Sequence, residues 1–155
     1  MNKEELFQLL DKDELTFQAT ALMAWEMNAV NNIDDVAAFM YKSGPLPPQA
    51  SAKRSDLEEL LKRDNRPPKT YWDSVKVEFH SFLCSEDERY KELWTRLGKL
   101  ANKGTPVLVT TISAYMGNKL GTEAGIISGF CAVCLYGVLK IGKEALCRHL
   151  SAATE

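Results

Sequence analysis

Between Ala124 and Leu139 the chain runs for 16 residues without an Asp, Glu, Lys or Arg. Gly125, Ile126, Ile127, Phe130, Val133, Leu135 and Val138 cover every face of the helix this segment would form. A helix that is apolar all round belongs at the centre of a protein or in a bilayer. Just upstream, Thr105-Pro106 opens a second apolar run that ends at Gly117. Thr105 as N-cap and Pro106 at the first helical position suit a helix start. Asn118-Lys119-Leu120-Gly121 then turns the chain, and Thr122 starts the last helix, expected to continue to about His149. The two runs together predict an apolar helical hairpin.

Length separates the two environments. Sixteen residues at about 1.5 Å each span about 24 Å, short of the roughly 20 residues a bilayer needs. The upstream run is also short and holds Thr105, Thr110, Thr111 and Ser113. Gly125-x-x-x-Gly129, extended by Ser128 and Ala132, is a small-residue face that permits close helix approach in lipid, but it serves a soluble bundle equally. A buried hairpin in a soluble protein is the leading expectation, and a hairpin that inserts into a membrane is the alternative.

The rest of the chain is also written in helices. Asp11 or Asp13 can cap a helix whose inward face is Leu15, Ala19, Leu22, Met23 and Met27, and Asn31-Asn32 breaks it. Ile33 to Lys42 makes a short helix with Val36, Phe39 and Met40 inward, closed by Gly44. Residues 43–54 have no apolar period and three prolines in four residues, which favours an extended connector. Ser55-x-x-Glu58 opens a short helix carrying Leu57, Leu60 and Leu61, and Arg66-Pro67-Pro68 ends the loop after it. Residues 43–70 are therefore expected to be the mobile or partner-facing element. Thr70 with Asp73 starts a helix with Tyr71, Val75, Phe79 and Phe82 inward. A second capping box, Ser85-x-x-Glu88, starts another with Tyr90, Leu93, Leu97 and Leu100. The expected fold is all-α, a single compact domain over 1–155 of about six or seven helices around the apolar hairpin.

Charge narrows the partners. The net charge is −2, which gives no overall case for nucleic acid. The basic residues Lys53, Arg54, Lys62, Arg63, Arg66 and Lys69 are offset by Asp56, Glu58, Glu59 and Asp64. Residues 1–40 are different: Lys3 and Lys12 stand against eight acids, a local −6. That segment is a solvated helix face or an address for a basic partner.

The N-terminal segment is amphipathic and unlike a secretory signal, so the expected location is cytoplasmic. The four cysteines, Cys84, Cys131, Cys134 and Cys147, are then expected to be reduced thiols. Cys131-x-x-Cys134 has redox-motif spacing, but it lies mid-helix, away from the N-terminus that would activate a thiol. His80 and Cys84 share a helix face at i, i+4 and could pair as base and nucleophile or join the two later cysteines around zinc. Neither is favoured, because structural zinc uses loops and knuckles and nothing else resembles an active site. No phosphate loop or nucleophile elbow is present. Trp25, Trp72 and Trp94, with Tyr71 and Tyr90, are expected in packing.

The expectation is a non-enzymatic helical module that binds another protein, of the accessory, adaptor, immunity or regulatory kind, with no cofactor, metal or catalytic residue. The candidate contact residues are Asp34 and Asp35, taken as exposed acids whose reversal would spare the fold, and Leu57, Leu60 and Leu61. The alternative is a membrane-active protein whose 105–139 hairpin inserts.

Overall fold

The structure, a computed structural model, describes residues 1–19, 22–27, 32–41 and 67–154. In chain order these form α1 (Lys3–Leu9), α2 (Lys12–Gln18), α3 (Leu22–Glu26), α4 (Ile33–Ala38) and α5 (Lys69–Leu83). A 3-10 turn (Glu88–Tyr90) leads into α6 (Lys91–Lys99), followed by α7 (Thr105–Leu120), α8 (Ala124–Ile141) and α9 (Lys143–Thr154). The fold is an all-α multi-helix bundle, built from more and shorter helices than the sequence pattern suggests.

Helix α8 is its centre, packing against α1, α2, α4, α5, α7 and α9. Every residue from Cys131 to Val138 is buried, as an apolar helix requires once amphipathic neighbours cover each of its faces. Its first turn is less covered, and Ile126 is exposed. Among the described residues α8 is the one helix with the length and apolarity to cross a membrane, at a mean hydropathy of 1.9 over 18 residues. Its burial is that of a core helix. The small-residue stripe is not one packing face: a Cβ on Gly125 would meet open space, whereas one on Gly129 would run into the Met40 side chain.

The hairpin turn is tighter than expected. Asn118, Lys119 and Leu120 still belong to α7, and Gly121 carries the reversal at φ 73°, a left-handed conformation that glycine adopts without cost. The amides of Gly121 and Thr122 both bond to the Gly117 carbonyl. A Cβ on Gly117 would lie 2.6 Å from the Thr122 carbonyl oxygen, so the close approach needs glycine there too. At the far end the long last helix is broken: Gly142, at φ 91°, separates α8 from α9.

The N-terminal half departs most from expectation. The helix anticipated across Leu15–Met27 ends at Gln18, because Ala19 is extended, and α3 restarts at Leu22. Leu15, Ala19 and Leu22 are buried as expected, but the break changes the register. Trp25 takes the inward position, and Met23 and Met27 face outward. Asp11 caps α2 through bonds from the Asp13 and Glu14 amides. The second capping box is replaced by Asp87, which caps the 3-10 turn, while the Ser85 hydroxyl donates to the Ser81 carbonyl. Thr105 is the first residue of α7 with Gly104 as its cap, and its hydroxyl accepts the Asp11 amide at 2.9 Å.

The inward faces of α5 and α6 follow the pattern closely. Val75, Phe79, Phe82, Tyr90, Leu93 and Leu97 are buried, and Trp72 replaces Tyr71 as the inward aromatic of α5. Trp72 packs on Phe130 of α8, and Trp25 packs on Tyr136.

Candidate functional site

One cluster of polar side chains gathers along the line where α5 and α9 touch. Trp72, Lys76 and His80 recur at four-residue spacing along one row of α5, and Cys84 continues the row at its C-terminal cap. Helix α9 runs antiparallel to them. Cys84 is bonded to Cys147, and four residues back along α5 the His80 ring lies 3.0 Å from the Ser151 hydroxyl, four residues further along α9.

Asp34 joins this seam from α4. Its carboxylate accepts the Trp72 indole N–H at 2.8 Å, the Lys76 ammonium at 3.0 Å, and on its other oxygen a bond from His149 Nε2 at 2.7 Å. Partial burial alone would raise the Asp34 pKa. The bonds from Trp72, Lys76 and His149, with the Lys76 charge, outweigh that and hold it below the ordinary carboxylate value. Lys76 also stands 3.6 Å from Asp73 and 5.5 Å from the centre of the Trp72 ring. Three helices are thus tied by one half-buried carboxylate.

This geometry changes the reading of the sequence candidates. Asp34 is turned onto its own fold, and reversing it to lysine would set two ammonium groups together and leave a buried indole N–H unpaired. The expectation that its reversal spares the fold is corrected. Asp35 is exposed in the first turn of α4, where its charge suits the helix N-terminus and its amide bonds to Asn32. Leu57, Leu60 and Leu61, with the 43–66 connector, lie outside the described residues.

The cysteines divide into two kinds. Cys84 and Cys147 form a disulfide across 63 residues, correcting the expectation of four reduced thiols. This also removes Cys84 as a nucleophile beside His80. Cys131 and Cys134 are unbonded and fully buried. Burial pushes the Cys131 thiol up to about 12, only partly offset by the neighbouring Ser113 hydroxyl, and pushes Cys134 higher than its ordinary value as well. A thiol held protonated and away from solvent is neither a nucleophile nor a redox centre. Among the described residues no group of three or more His, Cys, Asp or Glu could hold a metal ion.

Two adjoining clefts open near the α8–α9 junction. The larger, about 530 Å³, lies among Lys3, Ser85, Glu86, Lys91, Trp94 and Lys143. The other, about 520 Å³, reaches Ile141 and Arg148. Neither contains a histidine or a cysteine, and their walls mix both signs of charge, so they do not gather the convergent polar groups of a substrate site.

The feature that sequence pattern missed is apolar exposure on the N-terminal helices. Phe17 is 88% exposed and Met27 75%, with Met23 at 52%. The apolar spacing predicts both methionines in the core, and the break after Gln18 turns them outward. Comparison with protein-family models, with curated proteins and with solved structures gives no match for this chain.

Proposed function

We propose that the protein is a non-enzymatic module that binds another protein through the face presented by α2 and α3. The observation that carries the reading is the exposure of Phe17, Met23 and Met27 within eleven residues of chain. Single exposed apolar side chains are ordinary, but a phenylalanine and two methionines outside the core within so short a stretch are the usual material of a contact surface. They sit in the segment where eight acids face two lysines. The fitting partner is therefore a protein surface with an apolar centre and a basic rim, met faster at low salt. Asp35 belongs to that rim. We also propose residence in the cytoplasm, on the amphipathic N-terminal segment, where the Cys84–Cys147 bond would be a transient one.

The membrane reading has the composition of α8 in its favour, while the burial of Cys131–Val138 supports the core assignment instead. The test of the binding proposal is capture of partners from the native host by wild type and by a Phe17→Ser, Met27→Ser double variant. Exposed substitutions change stability by under about 0.5 kcal/mol, so the variant should melt like wild type and lose the captured protein. A variant that retains every wild-type partner, at low and high salt alike, would remove this face from consideration.

A further inference from the structure

We propose that the Cys84–Cys147 bond is a redox-operated latch that holds the C-terminal helix α9 against the body of the bundle. The inference is independent of which partner the protein binds.

The first observation is how the four cysteines are sorted. Cys131 and Cys134 are wholly buried, whereas Cys84 and Cys147 are each part-exposed at the rim of the α5–α9 seam. The partly buried bonded pair is the one open to a reductant in this proposal, and the fully buried Cys131 and Cys134 are shut away from it. The latch therefore opens without exchange into the core thiols.

The second is how α9 is attached. Gly142, with its positive φ, ends α8 and gives the chain a pivot, and α9 begins at the next residue. Between Lys143 and Ser151 the buried side chains are Leu146 and Leu150. Its polar contacts include two between part-buried groups, His149 to Asp34 and Ser151 to His80. Helix α8, by contrast, buries an unbroken run from Phe130 to Val138. The disulfide fastens the middle of the helix with the weaker apolar grip to the C-terminal cap of α5.

The third is what α9 covers. A Cβ on Gly137 would lie 3.2 Å from the Leu146 side chain, with Ile33 and Trp25 near the same point. Lifting α9 uncovers this crossing of α8 with α3 and α4, and leaves Asp34 without His149. Reduction thereby converts a closed surface into an apolar one.

The chemistry needs a dithiol reductant. One of its thiolates attacks a sulfur of the pair, forming a mixed disulfide and expelling the other cysteine as a thiolate, which takes up a proton. The second thiolate of the reductant then attacks the mixed disulfide. It releases the second cysteine, also protonated, and leaves the reductant as its own disulfide. Two electrons and two protons pass to Cys84 and Cys147.

The test is hydrogen exchange followed by mass spectrometry on the full chain, air-oxidised and treated with dithiothreitol, with a Cys84→Ser, Cys147→Ser double variant as a reductant-free arm. Oxidised protein should show α9 exchanging with the α7–α8 hairpin. Reduced protein and the variant should show residues 143–151 exchanging at least about ten times faster than 108–117 and 130–138, a sub-global opening, reversed by reoxidation. Exchange of α9 and the hairpin at one common rate after reduction overturns the latch. So does α9 exchange well ahead of the hairpin in oxidised protein, or a thiol titration that finds four free cysteines in the untreated, denatured chain.

Discussion

Asp34 shows how much a single carboxylate can be asked to hold. Its three donors come from α5 and α9, so it fixes the position of α4 against both. The Trp72 side chain is almost fully buried, and an indole N–H buried without an acceptor costs about 1–3 kcal/mol. Asp34→Asn keeps an acceptor for Trp72 but loses the charge that Lys76 and His149 answer. Because the Asp34 side chain is 43% exposed, solvent screening reduces that loss to about 1–2 kcal/mol at neutral pH. The folded-state pKa lies below the ordinary 3.8. This contribution is therefore complete above the unfolded value and disappears as pH falls through the folded one. Urea midpoints taken from pH 7 down through pH 4 to pH 3 should fall in wild type and fall less steeply in Asp34→Asn. Parallel acid limbs would mean the carboxylate is not coupled to folding. From sequence this residue reads as an exposed contact acid, one of the eight in its segment, and not as a tie within the fold. Its partners lie 38, 42 and 115 residues away, a separation over which periodicity carries no information.

At the scale of elements, the sequence was informative where a helix has one environment along its whole length. The α7–α8 hairpin, α5 and α6 follow their apolar spacing because each lays one continuous face on the core. It was less informative where backbone geometry overrides spacing. Ala19 and Gly142 break helices whose apolar period continues past them, and the inward residues shift accordingly, from Met23 and Met27 to Trp25. Helix α9 illustrates the energetic consequence. Leu146 and Leu150 are its buried side chains between Lys143 and Ser151, worth about 1.5–3 kcal/mol each by burial, so the covalent link matters for holding this element to the bundle. Restricting a loop of 63 residues in the unfolded chain is worth about 4 kcal/mol. Cys84→Ser should therefore lower the melting temperature by roughly 10 °C, measured without reductant. Wild type in dithiothreitol should match the variant. A variant that melts within about 2 °C of oxidised wild type would show that the bond contributes little.

For the whole molecule, the decisive property is where α8 lies. Its length and mean hydropathy meet the requirement for crossing a bilayer, and the 105–139 segment was legible from sequence as an apolar hairpin in either solvent. Burial separates the two. A helix enclosed on every side from Cys131 to Val138 leaves the core only by uncovering the inward faces of α1, α2, α4, α5, α7 and α9 together, which amounts to unfolding the bundle. The residues 127–138 should consequently be the slowest in the chain to exchange their amides, opening only with global unfolding. The same enclosure predicts that the oxidised protein stays in the supernatant when sedimented with vesicles of neutral and anionic phospholipid at neutral pH. The acidic N-terminal helices add repulsion from the anionic ones. Co-sedimentation of folded protein, accompanied by loss of protection in 127–138, would show the hairpin exchanging its protein neighbours for lipid and would replace the core reading with the membrane one. Retention of protection with the protein in solution leaves α8 as the structural centre around which α2 and α3 present Phe17, Met23 and Met27.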